Sequence, residues 1–175
     1  MKIQIIGYSG SGKSTLAKTL GDILGVPVLH LDNAHFYGDW QEKSREEMSQ
    51  EVEAFLEAHT GWVIDGNYSS VAPRRFRESD MTIYLNFGRV RCFLSAYHRY
   101  LKYRGRARES CPCREKFDRT FALWILRDGR TPARRKKHLE NLSATSGTQV
   151  TLKNRGAVRR FVKDFQSKYY VPQTR

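Results

Sequence analysis

The stretch Gly7-Tyr8-Ser9-Gly10-Ser11-Gly12-Lys13-Ser14-Thr15 limits this chain more than any other feature, and it fits the pattern G-x-x-x-x-G-K-[ST]. Glycines let the backbone curl until successive N–H groups point inward at an anion, and a following helix adds positive potential from its N-terminus. The flanks suit such a turn. Ile3 to Ile6 is a short apolar run of the kind that forms a buried parallel strand. Leu16, Ala17, Leu20, Ile23 and Leu24 recur at helical spacing until Gly25 and Pro27 stop them. The expected unit is strand, phosphate-binding turn, helix. In it Gly7, Ser9, Gly10, Ser11, Gly12, Lys13, Ser14 and Thr15 are expected to hold ATP, with Lys13 reaching the β- and γ-phosphates and Ser14 ligating a bridging Mg²⁺.

The rest of the chain alternates in the same way. Val26 to Asp32 reads as a second strand ending on a carboxylate, and Trp62 to Asp65 as a third. Between them Ser44 and Glu47 form a capping pattern ahead of Met48, Val52, Phe55 and Leu56. Thr82 to Phe87 is a fourth strand, and Val90, Phe93, Leu94, Tyr97 and Leu101 mark the helix after it. Phe117, Phe121, Trp124 and Ile125 suggest another helix, Pro132 to Leu142 a basic one, Thr148 to Leu152 a fifth strand, and Val158 to Tyr169 a closing helix. Strands alternating with helices predict a mainly parallel sheet covered on both faces. With 175 residues, 39% of them hydrophobic, a single domain over 1–175 is expected. Residues 103–116 are too polar for a core, so they read as an insertion projecting from the sheet.

Charge divides the chain. Residues 1–65 carry 5 Lys/Arg against 10 Asp/Glu, and residues 66–175 carry 26 against 8. The second half is therefore expected to meet an anionic ligand or partner. Its densest cluster, Arg104, Arg106 and Arg108 with Arg99 and Arg114 nearby, reads as a lid that stabilises charge on a transferred phosphoryl group, or as a surface for nucleic-acid phosphates. Arg127, Arg130, Arg134 and Arg135 form a second basic group open to the same two readings. Asp32 and Asp65 stand where an open α/β sheet collects its ligands; one is expected to hold Mg²⁺ through water and one to accept a proton from an attacking hydroxyl or orient it, the alternative being ordinary turn or N-cap residues. His35, Phe36, Tyr37 and Trp40 after Asp32, and Tyr68, Arg74, Arg75 and Arg77 after Asp65, would suit a phosphorylated acceptor. Cys92, Cys111 and Cys113 are odd in number and badly spaced for a disulfide framework. The N-terminus lacks a signal-peptide pattern and no apolar run reaches about 20 residues, so a cytoplasmic protein with reduced thiols is expected.

These motifs resemble the FlaR-type DNA topology modulation proteins, adenylate-kinase-like members of the P-loop kinases. The resemblance rests on Ile5 to Thr15, on Val28-Leu29-His30-Leu31-Asp32, on Trp62-Val63-Ile64-Asp65-Gly66-Asn67-Tyr68-Ser69, and on Leu101-Lys102-Tyr103-Arg104-Gly105-Arg106. It implies a three-layer α/β/α P-loop fold, a five-stranded parallel sheet ordered 2-3-1-4-5, ATP with Mg²⁺, a lid between the fourth and fifth strands, and an acceptor pocket after the second and third. It also implies that Asp65-Gly66 lies beside the phosphates. The arginine that such enzymes carry shortly after this pair is replaced here by Tyr68-Ser69-Ser70, which speaks against an AMP-like acceptor. A kinase acting on a small, possibly nucleotide-like acceptor is the leading expectation. A polynucleotide kinase or an ATP-binding protein seated on nucleic acid is the rival, whereas a GTPase is disfavoured because no Asn/Thr-Lys-x-Asp stretch exists.

Overall fold

Ile3, Ile5 and Ile6 place strand β1 (Lys2–Gly7) in the middle of the molecule, since an apolar run broken only by Gln4 has no face to offer water. The computed structural model describes residues 1–169. In it β5 (Trp62–Asp65) and β6 (Met81–Leu85) pair with β1 in parallel on its two sides. β2 (Val28–His30) adds outside β5, and β7 (Thr148–Leu152) outside β6, again in parallel. The order β2-β5-β1-β6-β7 is the expected 2-3-1-4-5 once the separate hairpin of β3 (Phe36–Gly38) and β4 (Gln41–Glu42) is left out of the count. This order gathers the loops that follow β1, β2 and β5 at one end, where open parallel sheets place their ligands.

Helices cover both faces. Along β5, Val63 joins a cluster with Leu16, Ala17 and Leu20 of α1 (Lys13–Leu24), Cys92 and Ala96 of α5 (Arg89–Tyr103) and Phe165 of α8 (Arg155–Tyr169). Its neighbours Trp62 and Ile64 join the other, with Leu31 and Ala34 of α2 (Leu31–His35) and Met48, Val52 and Leu56 of α3 (Arg45–Ala58). The two-residue alternation of a strand divides them. Local signals act as the sequence predicts: the Ser44–Glu47 capping box opens α3, and Gly25, left-handed at φ 65°, closes α1 by donating its N–H to the Gly21 carbonyl.

Other stretches depart from the reading. β2 stops at His30, and Asp32 lies in the first turn of α2, where burial of Leu31 and Ala34 on one face favours a helix over further extension. Arg74–Glu78 form a short helix, α4, for which no periodicity was visible. Residues 104–118, between α5 and α6 (Arg119–Leu126), are irregular but not too polar to bury. Ser110, Cys111, Cys113 and Glu115 are buried, and the segment folds back on the hairpin, with Trp40 N–H donating to Cys113 Sγ at 3.2 Å and Trp40 Nε1 to the Arg114 carbonyl at 3.1 Å. The exposed arginines hid small thiols and a paired carboxylate. A single 3₁₀ turn at Asp128–Arg130 and helix α7 (Pro132–Ser143) complete the connection to β7. Among the described residues no helix is long and apolar enough to cross a membrane.

Candidate active site

The glycine turn is built so that only glycine fits it. Gly7 and Gly10 have φ of 149° and 79°, and a Cβ on them would stand 2.6 Å from the Leu85 carbonyl oxygen and 2.2 Å from that of Cys92. Gly12, at φ 93°, caps α1, whose first N–H groups are free to face an anion. Asn67, just beyond β5, fixes the start of the turn: its Oδ1 accepts from Gly7 N–H at 3.0 Å and its Nδ2 donates to the Gly7 carbonyl at 2.9 Å. Ser11 Oγ is buried without a partner, a polar atom left for a ligand. These features fit a chain of phosphates.

Parallel register brings the charged groups together. His30 and Asp65 are side-by-side partners in the β2–β5 pairing, and His30 Nδ1 meets Asp65 Oδ1. The other oxygen, Oδ2, accepts from Ser14 Oγ at 2.9 Å. An alcohol and a carboxylate oxygen at the phosphate turn are hard donors of the kind Mg²⁺ takes while keeping several waters, so the residues fit that ion. Lys13 Nζ donates to the Tyr8 carbonyl at 3.3 Å, and burial lowers its pKa, opposed by the nearby charges of Asp65 and then Asp32. Asp32 stands apart from the Ser14–Asp65 pair, its Oδ1 accepting from Tyr68 Oη at 3.0 Å. Burial, then the Asp32 charge, pushes the Tyr68 pKa up, so this phenol keeps its proton.

A cavity of about 930 Å³ joins these groups. Of the expected site residues, Ser9, Gly10, Gly12, Lys13, Ser14, Thr15, Asp32, Asp65 and Arg108 line it. Gly7 does not line it, Ser11 lines a smaller cavity beside it, and Arg104 and Arg106 lie outside, exposed on either side of the left-handed Gly105; Arg104 rests over the Tyr100 ring. Phe36, Trp40 and Tyr68 reach the cavity from the expected acceptor loops. Arg74, Arg75 and Arg77 do not. Arg74 pairs with Glu53 and Glu78, while Arg75, 0% exposed, donates to Gln4 Oε1 at 2.9 Å and to the carbonyls of Tyr68 and Val71. Arg75 thus braces the loop after β5 from inside the protein, while Arg77 is exposed.

The fold brings to the cavity Arg99, read from the sequence only as a neighbour of the arginine cluster, and Arg155, to which, as to Glu115, the sequence gave no role. Arg99 lines it together with Arg108, and both are held by buried Glu115: Arg99 Nη2 lies 2.8 Å from Oε1 and Arg108 Nε 2.6 Å from Oε2. Arg155, at the start of α8, reaches it with Nη2 3.0 Å from Ser95 Oγ. Asn67 and His30 were visible as letters in quoted motifs, but their roles depend on strand register. The second basic group divides: Arg134 lines the cavity beside Trp124, whereas Arg130 stacks 3.9 Å from the Tyr8 ring and donates to the Phe87 carbonyl at 2.8 Å, supporting the glycine turn from behind. A smaller cavity of about 520 Å³ lies on the other side of the turn, between Thr15, Leu16 and Thr19 of α1 and Val158 and Val162 of α8.

No family model and no curated protein matches the sequence. Solved structures do. Shikimate kinase from Acinetobacter baumannii, in complex with shikimate, matches with a TM-score of 0.55 at 15% identity, over 95% of this chain and 91% of that one. Shikimate kinase from Bacteroides thetaiotaomicron gives 0.52 at 18%, over 96% and 97%, and the Thermus thermophilus protein TT1252 gives 0.57 at 15%, over 98% of each chain. At these identities the likeness is one of fold, and the chain shares the five-stranded α/β fold of those two shikimate kinases.

Proposed function

We propose that the protein is an ATP- and Mg²⁺-dependent kinase that passes a γ-phosphate to a small acceptor held beside the Asp32–Tyr68 pair. The observation that carries this is the 2.9 Å bond between Ser14 Oγ and Asp65 Oδ2 beside a glycine turn that opens into the same cavity as a second, separate carboxylate. The turn and Lys13 bind the phosphates, and the smaller cavity between α1 and α8 receives the nucleoside. Mg²⁺, held by Ser14 and Asp65, supplies charge neutralisation when bound. The two aspartates differ in what already occupies them. Asp65 is engaged by Ser14 and His30, whereas Asp32 accepts from Tyr68 alone and keeps Oδ2 free to take the acceptor's hydroxyl proton. Arg99 and Arg108, steadied by Glu115, face the charge that spreads over the phosphoryl group.

The motif resemblance carries the proposal further, to a FlaR-type protein within this fold. One observation favours the nucleic-acid reading of that name: Arg104 and Arg106 face away from the cavity, as a phosphate-binding surface would require. A screen with ATP and Mg²⁺ tests both readings, using nucleosides, nucleotides, shikimate and 5′-hydroxyl oligonucleotides as acceptors. A small acceptor phosphorylated by the wild type, with turnover at least about 100-fold lower in Lys13→Ala, is the expected result. Undiminished turnover in Lys13→Ala would sink the kinase reading, and phosphorylation of oligonucleotides alone would replace the small acceptor with a polynucleotide.

A further inference from the structure

Helix α5 carries more apolar surface than the core uses. Cys92 and Ala96 are buried beneath it, yet Val90, Leu94, Tyr97 and Leu101 are 63, 44, 41 and 56% exposed. They stand four, three and four residues apart, which places them in one stripe roughly 60° wide at 100° per residue and matches the d-a-d-a spacing of a coiled-coil seam. Single exposed leucines are ordinary, but a row that keeps register over three turns is not. On one side the stripe is walled by rings, with Phe117 packed 5.4 Å from both Phe93 and Tyr97 and 6.1 Å from Tyr100. On the other runs an exposed basic row of Arg91, His98 and Lys102. No Asp or Glu occurs between Asp80 and Glu109, so nothing on the helix offsets that row.

We infer that α5 docks an amphipathic helix of a partner protein, about two heptads long, with aliphatic side chains at its a and d positions and Asp or Glu on the flank that meets Arg91, His98 and Lys102. A second copy of this chain does not supply such a helix. Antiparallel pairing of α5 with its copy would set Arg91 against His98, and either direction joins two faces that lack acids. The acidic helix α3 turns Met48, Val52 and Leu56 inward, and the remaining exposed large hydrophobics among the described residues, Tyr37, Trp40, Leu123, Trp124 and Leu139, lie on no acidic seam. A lipid surface would call for a broader apolar face than this stripe, and nucleic-acid phosphates have no use for an aliphatic one. The opposite side of α5 carries Ser95 and Arg99 into the main cavity, so the partner helix would sit across one helix from the candidate site.

The test uses the full chain and a 21-residue peptide with Leu at a and d and Glu at e and g, whose own charges prevent self-pairing. A second peptide carries Lys in place of Glu. Fluorescence anisotropy is expected to show saturable binding of the Glu peptide, at least about tenfold tighter than the Lys peptide. Leu94→Asp/Leu101→Asp should weaken it by at least about tenfold. Arg91→Glu, an exposed change that leaves the seam intact, should shift preference toward the Lys peptide. The proposal is overturned if the Glu peptide does not bind, if the two peptides bind equally, or if neither variant alters binding. It is equally overturned if the double variant instead abolishes binding to phosphatidylglycerol vesicles, or dissolves a dimer seen by sedimentation.

Discussion

Arg75 shows how far a residue's role can depart from its charge. Its guanidinium is fully buried with no carboxylate beside it, and its donors hold Gln4 and the carbonyls of Tyr68 and Val71. Those carbonyls belong to the loop that carries Asn67 and Tyr68 to the cavity. Arg75→Met should therefore lose about 3 kcal/mol of stability in urea unfolding, because several buried acceptors are left unpaired. Arg75→Lys should recover little of it, since an ammonium lacks the planar fork. A midpoint within error of the wild type for Arg75→Met would show that the loop is braced by other means. From sequence this arginine read as an acceptor contact, because charge after a strand says nothing about whether the chain next turns inward.

At the scale of elements, what was legible and what was not divide by range. The strands announced themselves as apolar runs, and the capping box at Ser44 and the stop at Gly25 are local chemistry, complete within a few residues. The His30–Asp65 pair, the Asn67 grip on Gly7 and the Glu115 clamp join residues 35, 60 and 16 positions apart. Only register and loop path create them. The clamp also makes a prediction: Glu115 acts through Arg99 and Arg108, so Glu115→Gln should lower turnover of the acceptor found by the screen by about tenfold. Added to Arg108→Ala, it should cost less than it does alone, because part of its effect has already been removed. Fully additive losses in that cycle would mean that Glu115 serves the fold independently.

Across the whole molecule, charge and burial set the response to acid. His138, on α7 between Tyr8 and Tyr84, has its pKa lowered to about 4 by burial and then by the positive charges of Lys13, Arg134 and Arg130. An imidazole in the unfolded chain titrates near 6.5. Between these values the unfolded chain binds a proton that the folded chain refuses, so the stability His138 contributes is complete above pH 6.5 and is lost as pH falls toward 4. The loss should reach on the order of 2–3 kcal/mol. Urea midpoints followed from pH 7 to pH 4 should fall less steeply in His138→Gln than in the wild type, and parallel curves would show that other groups govern the acid limb.

Asn67 grips both polar groups of Gly7, and its neighbour Tyr68 touches Asp32. The two half-sites thus share one short piece of backbone as a common mechanical part. A ligand that shifted Tyr68 would pull on the glycine turn through a single peptide plane. Under the proposed kinase reading, thermodynamic reciprocity would then apply: by whatever factor a bound acceptor tightened the hold on nucleotide, bound nucleotide would tighten the hold on acceptor.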